Sequence, residues 1–262
     1  PASAESIFAS QLERSFVPSE SYYSDGTLWG LNSTFGINEQ GALDITTGSR
    51  DVVVGIIDSG ITNHSDLNAN VIPGYDFISN SDVASDGQAA DSKISDRDSD
   101  PSDPGDFYTD TQSGKSYFSS WHGTHVAGII GGTSNGLGAI GVAPNVSLLP
   151  IRALGAGGGL LNDIQDAITW GSGGTVSGVS SRPRADVLNL SLGGAGYCPS
   201  TLQRVIDDAV SRGTVVVVAA GNDGKSLRNT FPANCKNVIV VSATAPDGTR
   251  TSFSNFNDGT YF

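Results

Sequence analysis

At 262 residues the chain is long enough for one large domain with a substantial core. Its 27 Asp and Glu against 14 Lys and Arg leave a net charge of −13, which repels phosphate and argues against a nucleic-acid partner. No apolar run approaches the roughly 18 residues of a membrane-crossing helix, so no membrane partner is expected, and no secretory leader pattern stands at the start.

The sequence holds no Met and begins with Pro1, which predicts a processed or trimmed product. Residues 1–20 mix Ser and Glu with scattered apolar side chains and read as an extension or the remnant of a pro-segment, packed on the outside. The domain proper is expected over 21–262, with Tyr22, Tyr23 and Trp29 as first anchors and a short helix over 41–45. The stretch from Asp51 to Ile57 is rich in Val and Ile without alternation, the pattern of a strand covered on both faces. Strands are predicted at about 52–57, 147–153, 185–191, 214–219 and 237–242, and helices near 122–132, 161–171 and 199–212. The last helix carries Leu202, Val205, Ile206, Ala209 and Val210 on one stripe and stops at Gly213. Such alternation predicts an α/β fold in three layers, a mostly parallel central sheet with helices on both faces. Chemistry then belongs at the carboxyl ends of the strands, where Asp58, the run 189–194 and the run 219–222 stand.

Acidity is concentrated. Between Asp76 and Asp110 ten Asp face only Lys93 and Arg97, a local sum of −8. Either this is a solvated loop, or Asp98, Asp100, Asp103 and Asp106, spaced by turn-makers, share a concavity that needs a cation. Hard oxygen ligands of that kind suit calcium. Cys198 and Cys235 read either as two free buried thiols or as a disulfide; each stands beside a turn, which favours the disulfide and an oxidising compartment.

Asp58 follows a buried strand, where a carboxylate is costly unless it is hydrogen-bonded. It reads either as the cap of a turn or as the partner that orients a His tautomer. His122 opens the run His122-Gly123-Thr124-His125-Val126-Ala127-Gly128, whose small residues let a helix lie close to neighbouring backbone. His125 is read as a packed structural side chain and His64 as a surface one. A zinc site is not expected, for the spacing lacks a third ligand. Asn222 ends the run Ala219-Ala220-Gly221-Asn222 after an apolar strand, and is either a turn former or an amide aimed at a developing oxyanion.

These motifs, with Asn189-Leu190-Ser191-Leu192-Gly193-Gly194 between them, stand in the order found in subtilisin-like serine proteases, which the chain resembles from about residue 29 onward. The Cys198/Cys235 pair resembles a secreted bacterial branch of that family. The resemblance implies His122 as general base, Asp58 as its orienter and Asn222 as oxyanion donor. It also implies a peptide or protein substrate lying between two edges, Gly157-Gly158-Gly159 on one side and Ser191 to Gly194 with Ala219, Ala220 and Gly221 on the other. Structural calcium, common in the family, and a pro-segment or inhibitor as partner follow in the same way. The family's nucleophile segment, Gly-Thr-Ser at a helix start, is missing. Gly132-Thr133-Ser134 closes the His122 helix, about 18 Å from its start, and is rejected as a substitute. The expectation is a secreted, calcium-stabilised serine endopeptidase whose Ser lies on a C-terminal fragment absent from this sequence. The alternative is an inert peptide-binding or structural module of the same fold.

Overall fold

The computed structural model describes residues 16–84, 97–182 and 184–259. Six strands build its main sheet: β1 (Val53–Asp58), β2 (Tyr75–Asp76), β3 (Ser147–Arg152), β4 (Val187–Leu190), β5 (Val215–Ala219) and β6 (Ile239–Val241). Their order is β6-β5-β4-β1-β3-β2, and all five neighbouring pairs run parallel. β1 lies at the centre, and five of its six residues are buried. That burial explains its unbroken apolar reading, because both faces are covered. Every residue of β3 is buried as well.

Three helices supply the outer layers: α1 (His122–Gly131), α2 (Leu161–Gly171) and α3 (Ser200–Ser211). Ala127 of α1 packs with Val54, Ile56 and Leu148 on one face of the sheet. On the other face, Ile164 and Ile168 of α2 and Leu202, Ile206 and Ala209 of α3 close over Ile57, Leu149, Ile151, Leu188 and Val218. Helix α3 ends at Gly213 in a positive-φ turn (φ 91°), as its sequence predicts. The expected three-layer α/β architecture is present, with the ends of the five predicted strands within two residues of their positions; β2 was not predicted.

The register sets the site. Ile56 pairs with Asn189 and Asn189 with Val217. Two residues further on, Asp58, Ser191 and Ala219 therefore leave the sheet at the same level.

Residues 1–15 of the expected extension lie outside the described residues. Its described end packs only in part: Glu20 is fully buried and Phe16 lies on the cluster of Tyr23, Leu43 and Ile140, while Val17 and Ser19 are exposed. The expected short helix is present over Glu39–Leu43. Cys198 and Cys235 are joined in a disulfide, with Cα atoms 5.2 Å apart, tying the entry of α3 to the segment before β6.

Candidate active site

Asp58 is the last residue of β1 and has no solvent exposure. Its Oδ1 accepts from the Ser59 amide at 2.8 Å and lies 2.7 Å from His122 Nδ1. A carboxylate only accepts, so Nδ1 carries the imidazole proton and Nε2 keeps its lone pair. The His122 side chain is half exposed, open to a reactant while its other edge is held. Hydrogen bonding to Asp58 raises its pKa; burial works against that, and the charges of Asp58 and Asp106 reinforce it.

The backbone around His122 is held from three sides. Ser59 Oγ accepts from the Gly123 amide at 3.0 Å and donates to Asp103 Oδ2 at 2.7 Å. Ser120 Oγ accepts from the His122 amide, and Ser120 donates both its amide and its hydroxyl to Asp106. Gly123 is needed for contact: a Cβ there would stand 2.3 Å from the Gly60 carbonyl oxygen. Trp121, just before the helix, takes a left-handed φ of 52°, turning the chain into α1.

At the ends of β4 and β5 a pocket of about 360 Å³ is lined by Ser191, Leu192, Gly193 and Gly194 on one side and by Ala219, Gly221 and Asn222 on the other. Ala220 is buried behind it, and Asn222 is exposed at its mouth. The predicted residues on this side are thus brought together. Gly157, Gly158 and Gly159 do not line the pocket. Gly155 and Gly158 exchange two backbone hydrogen bonds in a tight turn, with Gly157 and Gly158 at positive φ facing open space. The second edge is a turn there, not an extended strand.

A family profile matches residues 49–260 with the description Subtilase family. The chain belongs to the subtilase family. It is 47% identical over 253 residues to an extracellular protease of Xanthomonas campestris pv. campestris, covering 95% of this chain and 42% of that protein. It is 40% identical over 237 residues to an extracellular basic protease of Dichelobacter nodosus, covering 87% and 38%. The chain thus spans about two fifths of the length of these curated relatives. A solved protease structure from Pseudoalteromonas arctica superposes with a TM-score of 0.86 at 45% identity, over 92% of this chain and 70% of that one.

In this subtilase the described part of the acidic stretch is tied into the surrounding backbone. Among the described residues no group of three or more His, Cys, Asp or Glu side chains is placed to hold a metal. Asp98 accepts from the Asp100 amide, and Asp100 from the amide and hydroxyl of Ser102. Asp103 accepts from the Gly105 amide and Ser59, and Asp106 is bonded to Ser120. Each carboxylate closes a nearby turn or braces the His122 segment. Asp86, Asp91 and Asp96 lie outside the described residues.

His125 also departs from expectation: it is exposed, lining with His64 a separate pocket of about 250 Å³. Helix α1 buries Gly123, Ala127 and Gly131, a stripe of four-residue steps. Position 125 lies about 200° around from 123 and so falls on the opposite face. His64 is on the surface as predicted. Sequence reasoning missed the bracing roles of Ser59, Asp103 and Asp106, and it missed that Asn255, in a run similar to a family segment, holds the Asn222 loop. Proximity in sequence offers a signal for Ser59 alone, beside Asp58; Asp103 and Asp106 stand 19 and 16 residues before His122.

Proposed function

We propose that this chain supplies the base, its orienter and the oxyanion donor of a secreted serine endopeptidase, with the nucleophilic Ser on a C-terminal segment beyond residue 262. The observation that carries the reading is the 2.7 Å contact of His122 Nδ1 with the buried Asp58, at the strand level where the Asn222 pocket opens. An incoming Ser hydroxyl would lose its proton to His122 Nε2 as its oxygen attacks the substrate carbonyl carbon. Asp58 stabilises the imidazolium without itself taking the proton. The Asn222 side-chain amide donates to the carbonyl oxygen as it gains charge. His122 then returns the proton to the leaving amine, and water repeats the sequence to release the acyl group.

One feature of the sheet supports an external nucleophile segment. By register Val187, Val215, Ile239 and Val241 share the α1 face of the sheet with Val54 and Ile56. Val215, Ile239 and Val241 are 43%, 55% and 54% exposed there, beside the helix that carries His122. Parallel sheets are normally covered on both faces, and a helix carrying the Ser would cover this stripe. Substrate backbone would lie along Ser191–Gly194, with the Gly155–Gly158 turn and Gly159 after it opposite and one side chain in the pocket. Asp223, which also lines that pocket, favours a basic side chain there. Secretion is supported by the disulfide and by the relatives' names. A pro-segment or inhibitor would occupy the same cleft as substrate. Structural calcium, general in the family, is not assigned to Asp98, Asp100, Asp103 and Asp106 as a set.

Treatment with a fluorophosphonate followed by intact-mass analysis tests this. Label on a segment that accompanies the chain, lost in His122→Ala, is the expected result. Absence of label and of any companion segment would leave the inert peptide-binding module as the reading.

A further inference from the structure

Asn222 stands on a loop that turns through Gly221 at φ 100° and has little apolar anchorage of its own. An exposed amide is an effective oxyanion donor only if its backbone is held before the reaction begins. The holding group comes from 33 residues downstream. Asn255 is fully buried and runs against the loop. Its Oδ1 accepts from the amides of Asp223 and Lys225, both at 3.0 Å. Its Nδ2 donates to the Ala220 carbonyl at 3.0 Å and to Thr230 Oγ1 at 3.3 Å. Its own backbone amide donates to the Gly221 carbonyl at 2.9 Å.

A carboxamide offers two acceptor and two donor positions, and here all four are used, three of them on the two flanks of Asn222 and the fourth on Thr230. Neither a carboxylate nor a hydroxyl has that complement. The fit is also steric, since a Cβ on Gly221 would stand 2.5 Å from Asn255 Nδ2.

We infer that Asn255 is a positioning residue for catalysis, fixing the Asn222 loop so that the Asn222 amide points at the developing oxyanion. The inference rests on the oxyanion reading of Asn222 above.

The test is a double-mutant cycle in the enzyme carrying this chain together with its nucleophile, with rates referred to sites titrated by a fluorophosphonate. Asn222→Ala is expected to lower kcat by about 10²–10³. Asn255→Ala is expected to lower it by about 100-fold, the scale of a misplaced group, with KM little changed. Asn222→Ala/Asn255→Ala is expected to be no slower than Asn222→Ala alone, because Asn255 acts only through Asn222. Asn255→Asp, which keeps both accepted bonds and loses both donated ones, should fall between wild type and Asn255→Ala, and serves where the alanine variant does not fold. Independent, multiplying losses overturn the positioning role while leaving Asn222 as donor. An unchanged kcat in Asn222→Ala overturns the oxyanion reading and this inference with it.

Discussion

The Ser59 hydroxyl donates to Asp103 at 2.7 Å, and through that bond the acidic loop reaches the helix carrying His122. Ser59 simultaneously accepts from the Gly123 amide, so one hydroxyl links the end of β1, the loop at 103 and the first turn of α1. All three partners are buried. Removing Asp103 leaves a buried hydroxyl and the Gly105 amide without their acceptor, a penalty of about 1–3 kcal/mol. Asp103→Ala should therefore lower stability by that amount in urea unfolding and lower kcat as His122 loses its brace. Adding Ser59→Ala should cost only what the orphaned Gly123 amide adds, since the Ser59–Asp103 bond is already lost. Equal and additive losses would show that the two residues act separately.

The pH profile should report the same neighbourhood. Asp58 and Asp106 favour the charged imidazolium, so the folded pKa of His122 lies above its ordinary 6.5. That interaction stabilises the fold fully below 6.5 and is lost as pH rises through the raised value. With His122 as the proposed base, activity needs the opposite, neutral form, so kcat/KM of the enzyme carrying this chain with its nucleophile should climb as pH rises through the raised value. Asp106→Asn removes one of the charges that raise it, and the acid limb of kcat/KM should move to lower pH. An unmoved limb would mean that Asp106 acts only through its bonds to Ser120.

Two glycines of α1 make a controlled pair. A Cβ on Gly123 would collide with the Gly60 carbonyl oxygen, whereas a Cβ on Gly128 meets nothing within 4 Å. Gly128→Ala should stabilise the helix by about 0.5–1 kcal/mol with activity kept. Gly123→Ala must push α1 off β1 and carry His122 with it, so kcat should fall by about 100-fold. Thermal melting and steady-state rates on the two variants check both halves of this prediction.

How much was legible follows from how local each signal is. The strand ending at Asp58 could be read directly, because burial on both faces writes an apolar run into consecutive residues. His122 and Asn222 were legible because each sits in a short motif at a strand or helix end. His125 was misplaced because the buried stripe of α1 is made of Gly and Ala, which carry almost no hydropathy signal. The bonds of the four aspartates were not legible because spacing shows that carboxylates are near one another along the chain, not which amide each one meets. Asn255 was opaque as a positioning group because its bonds reach back some 25–35 residues to the loop and to Thr230.

Glu39 provides a test far from the active site. It is buried beside the equally buried Glu20, and both its carboxylate oxygens lack a hydrogen-bond partner among the described residues. Burial, with the Glu20 charge adding to it, pushes its pKa from 4.5 to about 7. For an acid whose folded pKa is raised, the fold favours the protonated form. No penalty exists below 4.5; it grows as pH rises from there and is complete above about 7. Glu39→Gln keeps the shape and removes the charge, so its melting temperature should match wild type near pH 4.5 and exceed it at pH 8. Each kcal/mol recovered should raise Tm by about 2–4 °C for a chain of this size. A variant that melts with wild type at both pH values would mean that Glu39 carries no such penalty in the fold.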